Sequence, residues 1–302
     1  MDSYTPITLP YFAPADELPA SLPTLEEVLS STNFLVEPFN LTTRHMRVVR
    51  VGEHFVAKYG KSVKSLEGEN MLFVKQHTTI PVPQVYAIYT FGEGETMLIM
   101  EYIVGIPLER CLASWELRRL EPIREQLRAQ VNELRQIPAP SYYGSLGRRP
   151  LTDFYRDCEY GPFDNFTNLV DKTFELMFSP RNAQRFADMR KFFSVSFDCI
   201  STALGHAHPV FTHGDLHENN VIIRPDNTPV LIDWEVAGFY PAYHERLTAE
   251  LLIVQFDFLD EKFPLEQEII GDAEGAWYKA IREESHSDNE SETISNFPDE
   301  AS

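Results

Sequence analysis

The sequence predicts an α+β chain in two parts, a small mixed sheet carrying one helix and then a larger, mainly helical part. Three observations predict it. Residues 46–102 read in the order strand, strand, helix, strand, strand. After Gly105 the apolar residues recur at helical spacing instead of alternating. Residues 211–235 then interrupt the helical style with two short strands and a dense set of polar groups.

Residues 1–24 are punctuated by proline and predict an extended surface segment. Thr24 with Glu26 and Glu27 predicts a helix start, a capping hydroxyl followed by carboxylates in the first turn. MRVVRVGEHFVAKY (46–59) holds two β-branched and aromatic runs around Gly52-Glu53, the pattern of a hairpin. SLEGENMLFVKQH (65–77) has helical composition and is stopped by Pro81 and Pro83. Val85–Tyr89 and Thr96–Tyr102 predict two further strands. Pro122 is placed to open a long helix whose apolar stripe runs through Ile123, Leu127, Val131, Leu134 and Ile137. Residues 165–204 and 242–283 continue in the helical style, the former rich in phenylalanine that reads as core.

Charge and cysteine usage exclude several classes of protein. The net charge is −20, which argues against a nucleic-acid binder, because such proteins draw affinity from Lys and Arg on phosphates. It also disfavours docking on anionic lipid. Cys111, Cys158 and Cys199 form no metal-type pair and suit a reducing compartment. No basic start with an apolar run, and no apolar stretch long enough for a bilayer, is visible, so a cytoplasmic protein is expected. Asp257–Ser302 holds 14 acidic against 3 basic residues. Its last part, 284–302, predicts a disordered acidic tail that is dispensable for chemistry.

Chemistry concentrates in FTHGDLHENNVIIRPDNTPVLIDWE (211–235). Asp215 is followed five residues later by Asn220, and Asp233 comes after an apolar strand. Phosphoryl transfer needs such a set. One carboxylate orients the attacking hydroxyl and takes its proton, while an amide oxygen and a second carboxylate hold magnesium on the nucleotide phosphates. The strand VII, a turn and the strand VLI bring Asn220 and Asp233 to the same end of a hairpin.

His213-Gly214-Asp215-x-x-x-x-Asn220 followed by Ile232-Asp233-Trp234-Glu235 resembles the aminoglycoside phosphotransferase and choline kinase-like family, with the fungal subset nearest in IPVPQV (80–85), MEYIVGIPL (100–108), GPF (161–163) and DWEVAGFYP (233–241). The resemblance spans roughly residues 46–245. It implies a protein-kinase-like two-lobed fold: an N-terminal segment (1–24), a nucleotide-binding N-lobe (25–103), a helical C-lobe with the catalytic loop (104–283) and the acidic tail. It implies transfer of the γ-phosphate of ATP or GTP to the hydroxyl of a small molecule, with Mg²⁺ and with no nucleic-acid or membrane partner. Asp215 is then the catalytic carboxylate, and Asn220 and Asp233 are the metal ligands. Lys58 contacts the nucleotide phosphates and Glu67 is its ion-pair partner, with Glu69 as the alternative. Met100, Glu101, Tyr102 and Ile103 form the hinge against the purine ring, and Tyr86 to Ile88 lie near the nucleotide roof. His213 is a structural histidine bonded to backbone near the metal loop.

The chain departs from the family in having no glycine before Gly52, where a glycine-rich phosphate loop is expected. The amides of Asn40, Leu41, Thr42 and Thr43 are its candidate replacements. Two rival readings follow. One is a kinase-like pseudoenzyme that binds nucleotide or a partner without turnover. The other is a metal-dependent hydrolase using His213, Asp215, His217, Glu218 and Asp233.

Overall fold

The structure is a computed structural model and describes residues 4–36, 45–153, 158–177, 208–242 and 244–245. The expectations for residues 40–43, for Cys199, for the aromatic residues after Met177, for the segment after Glu245 and for the acidic tail lie outside the described residues.

Strands β1 (Tyr11–Phe12), β2 (Met46–Val51), β3 (Phe55–Gly60), β4 (Val85–Phe91) and β5 (Glu95–Glu101) form one antiparallel sheet in the order β1-β4-β5-β3-β2. The predicted hairpin is β2–β3, and Lys58 pairs with Val48 on one side and Leu98 on the other. The first 24 residues are more than a surface cover, because Tyr11 and Phe12 pair with Ile88 and Ala87 and extend the sheet. The edge of β4 offers unpaired backbone groups, and an extended segment satisfies them at little steric cost.

Helix α1 (Leu25–Ser30) starts where expected, with Thr24 and Glu27 in a reciprocal capping box. Val28 of α1 packs with Phe55, Ala57, Tyr59, Met97 and Ile99 on one face of the sheet. Of the residues expected near a nucleotide roof, Tyr86 and Ala87 belong to this same cluster, while Ile88 belongs with Leu98 to the cluster on the other face. Strand alternation sends Val56 and Lys58 to the opposite face.

That opposite face is covered by α2 (Ser65–His77), which is buried almost all round: Leu66 through Met71, then Phe73 and Val74. Such a helix lacks a polar face because it is sandwiched, and it stays close to the sheet through Gly68. A Cβ on Gly68 would stand 2.5 Å from Ile88 Cδ1 and 3.0 Å from Leu98 Cδ1. Gly68→Val should therefore lower stability by roughly 1–3 kcal/mol through overpacking, as read by urea denaturation.

The second part opens with β6 (Ile106–Pro107), α3 (Leu108–Ser114) and α4 (Leu117–Leu134). Pro122 does not open α4 but sits inside it. Leu120, fully buried, extends the predicted stripe backwards and holds the turn that precedes the proline. Strands β7 (Leu151–Asp153) and β8 (Cys158–Tyr160) form a hairpin, followed by α5 (Phe166–Met177). Strand β9 (Pro209–Thr212) pairs with β12 (Gly238–Pro241), while β10 (Val221–Ile223) and β11 (Pro229–Leu231) form the expected hairpin, to which β6 adds an edge. One core runs through both parts, joining Met71, Phe73 and Leu98 to Ile123, Leu127, Val131, Phe211, Trp234 and Phe239. Among the described residues no helix is long and apolar enough to cross a membrane.

Candidate active site

The site lies where the Lys58-bearing face of β3, the inner face of α2 and the ends of two hairpin strands meet. Lys58 Nζ is 2.8 Å from Glu67 Oε2, 2.9 Å from Asp233 Oδ1 and 3.2 Å from Glu235 Oε2. Glu69, the alternative partner, points elsewhere: Arg149, Tyr4 and Ser65 take both its oxygens. Two residues along an α-helix are about 200° apart around its axis, so only one of the two carboxylates can face β3.

Three carboxylates around one buried ammonium leave an excess of negative charge. Burial opposes the charge on Lys58, yet Asp233, Glu67 and Glu235 together hold its proton well above the ordinary range. Burial pushes Glu67 up to about 8 against the pull of Lys58. Asp233 also loses hydration, but Lys58 more than offsets this and holds it below the usual carboxylate range. The two carboxylates differ in contact with water: Asp233 keeps 33% of its side-chain surface exposed and Glu67 keeps 2%.

The hairpin does what its sequence pattern predicts. Asn220 immediately precedes β10, Asp233 lies two residues beyond β11, and Ile232 N–H bonds Asn220 O at 2.9 Å, fixing both at one end. Asn220 Nδ2 donates to Asp215 O and to Asp215 Oδ2, both at 2.9 Å. This orients the amide, so its oxygen is the atom available to a cation. Asp233 has φ of +64°, a left-handed backbone that aims its side chain back at Lys58. Asn70 of α2 steadies the following turn by donating to Trp234 O at 2.7 Å.

His213 is fully buried, with Nε2 on Ile232 O at 3.0 Å and Nδ1 accepting from Asp215 N–H at 3.3 Å. Both ring nitrogens are engaged in the loop itself, which removes His213 from the ligand set of the hydrolase reading. His217 Nε2 stands 3.6 Å from Asp215 Oδ2. Burial alone would lower its pKa, but the Asp215 carboxylate raises it. Among the described residues, the cluster of His, Cys, Asp and Glu close enough to share a cation is Glu67, Asp233 and Glu235, with ligand oxygens within 4.8 Å of one another. An all-oxygen set suits a hard cation such as Mg²⁺ and not the N/S preference of Zn²⁺.

The four hinge residues divide. Met100 and Glu101 end β5, where Glu101 N–H bonds Gln84 O. Tyr102 N–H bonds His54 O at 2.8 Å, and Arg50 lies over the Tyr102 ring. The N–H groups of Glu101 and Tyr102 thus serve the sheet and the β2–β3 turn, so the backbone contact expected with a purine would fall to other groups of residues 100–103. Ile103 follows with its backbone groups outside this pairing.

Two site residues were not anticipated. Glu235 stands two positions past Asp233, and its proximity in sequence was the available signal. Glu245 is buried and accepts His213 N–H at 2.8 Å and Gly214 N–H at 3.1 Å. It holds the start of the 213–220 loop, and nothing in the local sequence marks it. Glu245→Ala should cost roughly 1–3 kcal/mol for each stranded N–H, measurable by denaturant melts. Burial pushes Glu245 up, against the pull of His213 and of its backbone donors. Its folded value exceeds its unfolded one, so its stabilisation is complete below the unfolded carboxylate pKa and fades as pH rises through the folded value. Glu245→Gln should make that limb of the stability–pH curve shallower.

A lysine on the third strand paired to a helix carboxylate, above a loop ending in Asn and a metal-type Asp, belongs to the protein-kinase-like fold. Solved structures agree. The chain is similar to a thermostable mutant of aminoglycoside phosphotransferase APH(4)-Ia in ternary complex with ADP and hygromycin B (14% identity, TM-score 0.51, covering 82% of this chain and 88% of that one). It is similar to the GDP complex of an aminoglycoside 2'-phosphotransferase-IIIa mutant (15% identity, TM-score 0.52, covering 85% and 87%). It is also similar to the GDP and kanamycin complex of APH(2")-IIIa (15% identity, TM-score 0.50, covering 89% and 94%). No curated protein matches the chain by sequence. The family model described as "Phosphotransferase enzyme family" matches residues 47–249, and the chain belongs to that family.

Proposed function

We propose that the chain is a small-molecule kinase that transfers the γ-phosphoryl group of ATP or GTP to a substrate hydroxyl with Mg²⁺. The observation that carries this reading is the convergence on Lys58 Nζ of Glu67 from α2 and of Asp233 and Glu235 from the far end of the chain. Residues 25–103 would bind the nucleotide, and residues 104–283 would carry the catalytic loop and the acceptor pocket.

In this reading Lys58, held in place by Glu67, orients the nucleotide phosphates. Asn220 and Asp233 would hold Mg²⁺, with Glu235 beside them, and the ion would offset phosphate charge as the γ-phosphoryl leaves. Asp215 accepts the proton of the attacking hydroxyl, and the Asn220 amide keeps its carboxylate in place. Ile103 offers backbone groups to the purine. The protein contributes positioning and charge stabilisation, which is most of what phosphoryl transfer requires. The aminoglycoside complexes among the similar structures make amino sugars the first acceptors to try, and the negative charge of this chain is compatible with cationic acceptors.

The test is thermal shift with ATP or GTP, with and without Mg²⁺, followed by nucleotide consumption across a library of small hydroxyl compounds with Asp215→Ala as blank. A melting rise that needs both nucleotide and Mg²⁺, and is lost in Asn220→Ala/Asp233→Ala, supports the reading. An equal rise in the double variant overturns it. Binding without consumption of any acceptor favours the pseudoenzyme, which the absence of glycine before Gly52 also suggests.

A further inference from the structure

Glu69 is 5% exposed at its side chain and carries more bonds than any packing role requires. Arg149 grips it with both terminal nitrogens, at 3.0 Å to Oε1 and 2.7 Å to Oε2. Ser65 Oγ donates to Oε1 at 2.9 Å, and the Tyr4 hydroxyl donates to Oε2. Arg149 is itself fixed, with Nε on Leu146 O at 2.7 Å and its carbonyl accepting from Ser145 N–H. Tyr4 lies edge-on to Phe73 of α2, with ring centroids 5.9 Å apart. Lys64, just before the helix, reaches Thr152 Oγ1 at 3.2 Å and also pairs with Glu159 of the β7–β8 hairpin. Segments far apart in the chain thus converge on one carboxylate of one helix.

Glu69 and Glu67 leave α2 in nearly opposite directions, so what fixes Glu69 fixes the rotation of the helix about its axis. Side chains extend about 5 to 6 Å from a helix axis, so a rotation of about 20° moves the Glu67 carboxylate by about 2 Å. That is enough to break its 2.8 Å ion pair with Lys58. Arg149 keeps 38% of its side-chain surface exposed, so water screens the pair and it gains little net stability, whereas its bidentate geometry fixes an orientation.

We infer that Arg149 and Tyr4, acting through Glu69, are positioning residues that set α2 so that Glu67 meets Lys58. The consequence for nucleotide affinity rests on the proposed kinase function, while the consequence for Lys58 does not. Loss of the clamp lets α2 turn, withdraws one of the three carboxylates that hold the Lys58 amine, so that the amine is exposed more often, and weakens nucleotide binding.

The test reads Lys58 directly by acylation with an N-hydroxysuccinimide acetate, followed by peptide mass spectrometry, without any nucleotide. Arg149→Ala and Glu69→Gln should raise the Lys58 labelling rate about 10-fold, Arg149→Lys should restore part of the protection, and exposed Lys61 should label as in the parent. Thr24→Ala, which removes the cap of α1, serves as a destabilised control and should leave Lys58 protected. Calorimetry with Mg²⁺ and a non-hydrolysable ATP or GTP should show about a 10-fold loss of affinity in Arg149→Ala, and none in a Glu67→Gln background. Lys58 labelling at the parental rate in folded Arg149→Ala and Glu69→Gln, or an equal rise in Thr24→Ala, overturns the clamp. An affinity loss of the same size in the Glu67→Gln background does so too. If Arg149→Ala does not fold, Glu69→Gln and Tyr4→Phe decide. If the parent protein binds no Mg²⁺–nucleotide, the kinase reading fails and the labelling alone judges the clamp.

Discussion

Asp215→Asn should collapse turnover while leaving Mg²⁺–nucleotide affinity nearly intact. Asparagine preserves the shape of the side chain and an oxygen that accepts from Asn220 Nδ2, now 2.9 Å from Asp215 Oδ2. It cannot take a proton from an attacking hydroxyl, and that contact matters mainly as the new bond forms. The loss expected from removing a general base is about 10²- to 10⁴-fold, read by single-turnover kinetics on whichever acceptor the screen finds. Affinity for a non-hydrolysable nucleotide should change by less than about 3-fold. A variant that binds nucleotide tenfold more weakly yet turns over normally would remove Asp215 from its catalytic role.

Asp233→Asn should fail differently, at the binding step. Its carboxylate sits 2.9 Å from Lys58 and belongs to the oxygen cluster with Glu67 and Glu235, so it is placed to act before chemistry begins. Mg²⁺-dependent nucleotide affinity should fall by at least about 10-fold, the loss that follows even when an outer partner of a metal site is removed. Turnover should fall with it. The left-handed backbone at Asp233 suits asparagine as well as aspartate, so the substitution adds no strain. Lys58 holds the Asp233 carboxylate below the usual range, so its charge stabilises the fold. The variant should therefore melt somewhat lower than the parent when nucleotide is absent, as differential scanning calorimetry would show. A variant that loses stability but keeps its Mg²⁺ dependence would make Asp233 a structural partner of Lys58 and leave the cation to other groups.

The parts of the site that lie close together along the chain are legible in the amino-acid sequence. Asp215 and Asn220 are separated by one short loop, and the β10–β11 hairpin that brings Asn220 to Asp233 follows from two apolar runs around a turn. Lys58 is legible because a lysine in an apolar strand, just before a helix with acids in its first turn, has few other uses. The choice between Glu67 and Glu69 is not legible. Both are acids on one helix, and only the rotation of α2 against β3 sends one to Lys58 and the other to Arg149.

The hinge shows the same limit. Its strand is evident from the run that ends at Tyr102, but which backbone amides stay outside the sheet's pairing depends on neighbours distant in sequence, such as His54, which accepts from Tyr102 N–H. Tyr11 and Phe12 carry no sign of joining a sheet, since two residues hold no alternation to read, and only the open edge of β4 recruits them. Glu245 and Arg149 are invisible for a related reason: a lone charged residue in sequence is ordinarily a solvated one. By itself the sequence determined the chemical groups, their spacing within loops and the order of strands and helices, because those depend on local periodicity and turn residues. Tertiary structure alone decided which charges share a buried space. The Lys58–Asp233 contact joins residues 175 positions apart, and it exists because one continuous core holds the sheet, α2 and the hairpin together.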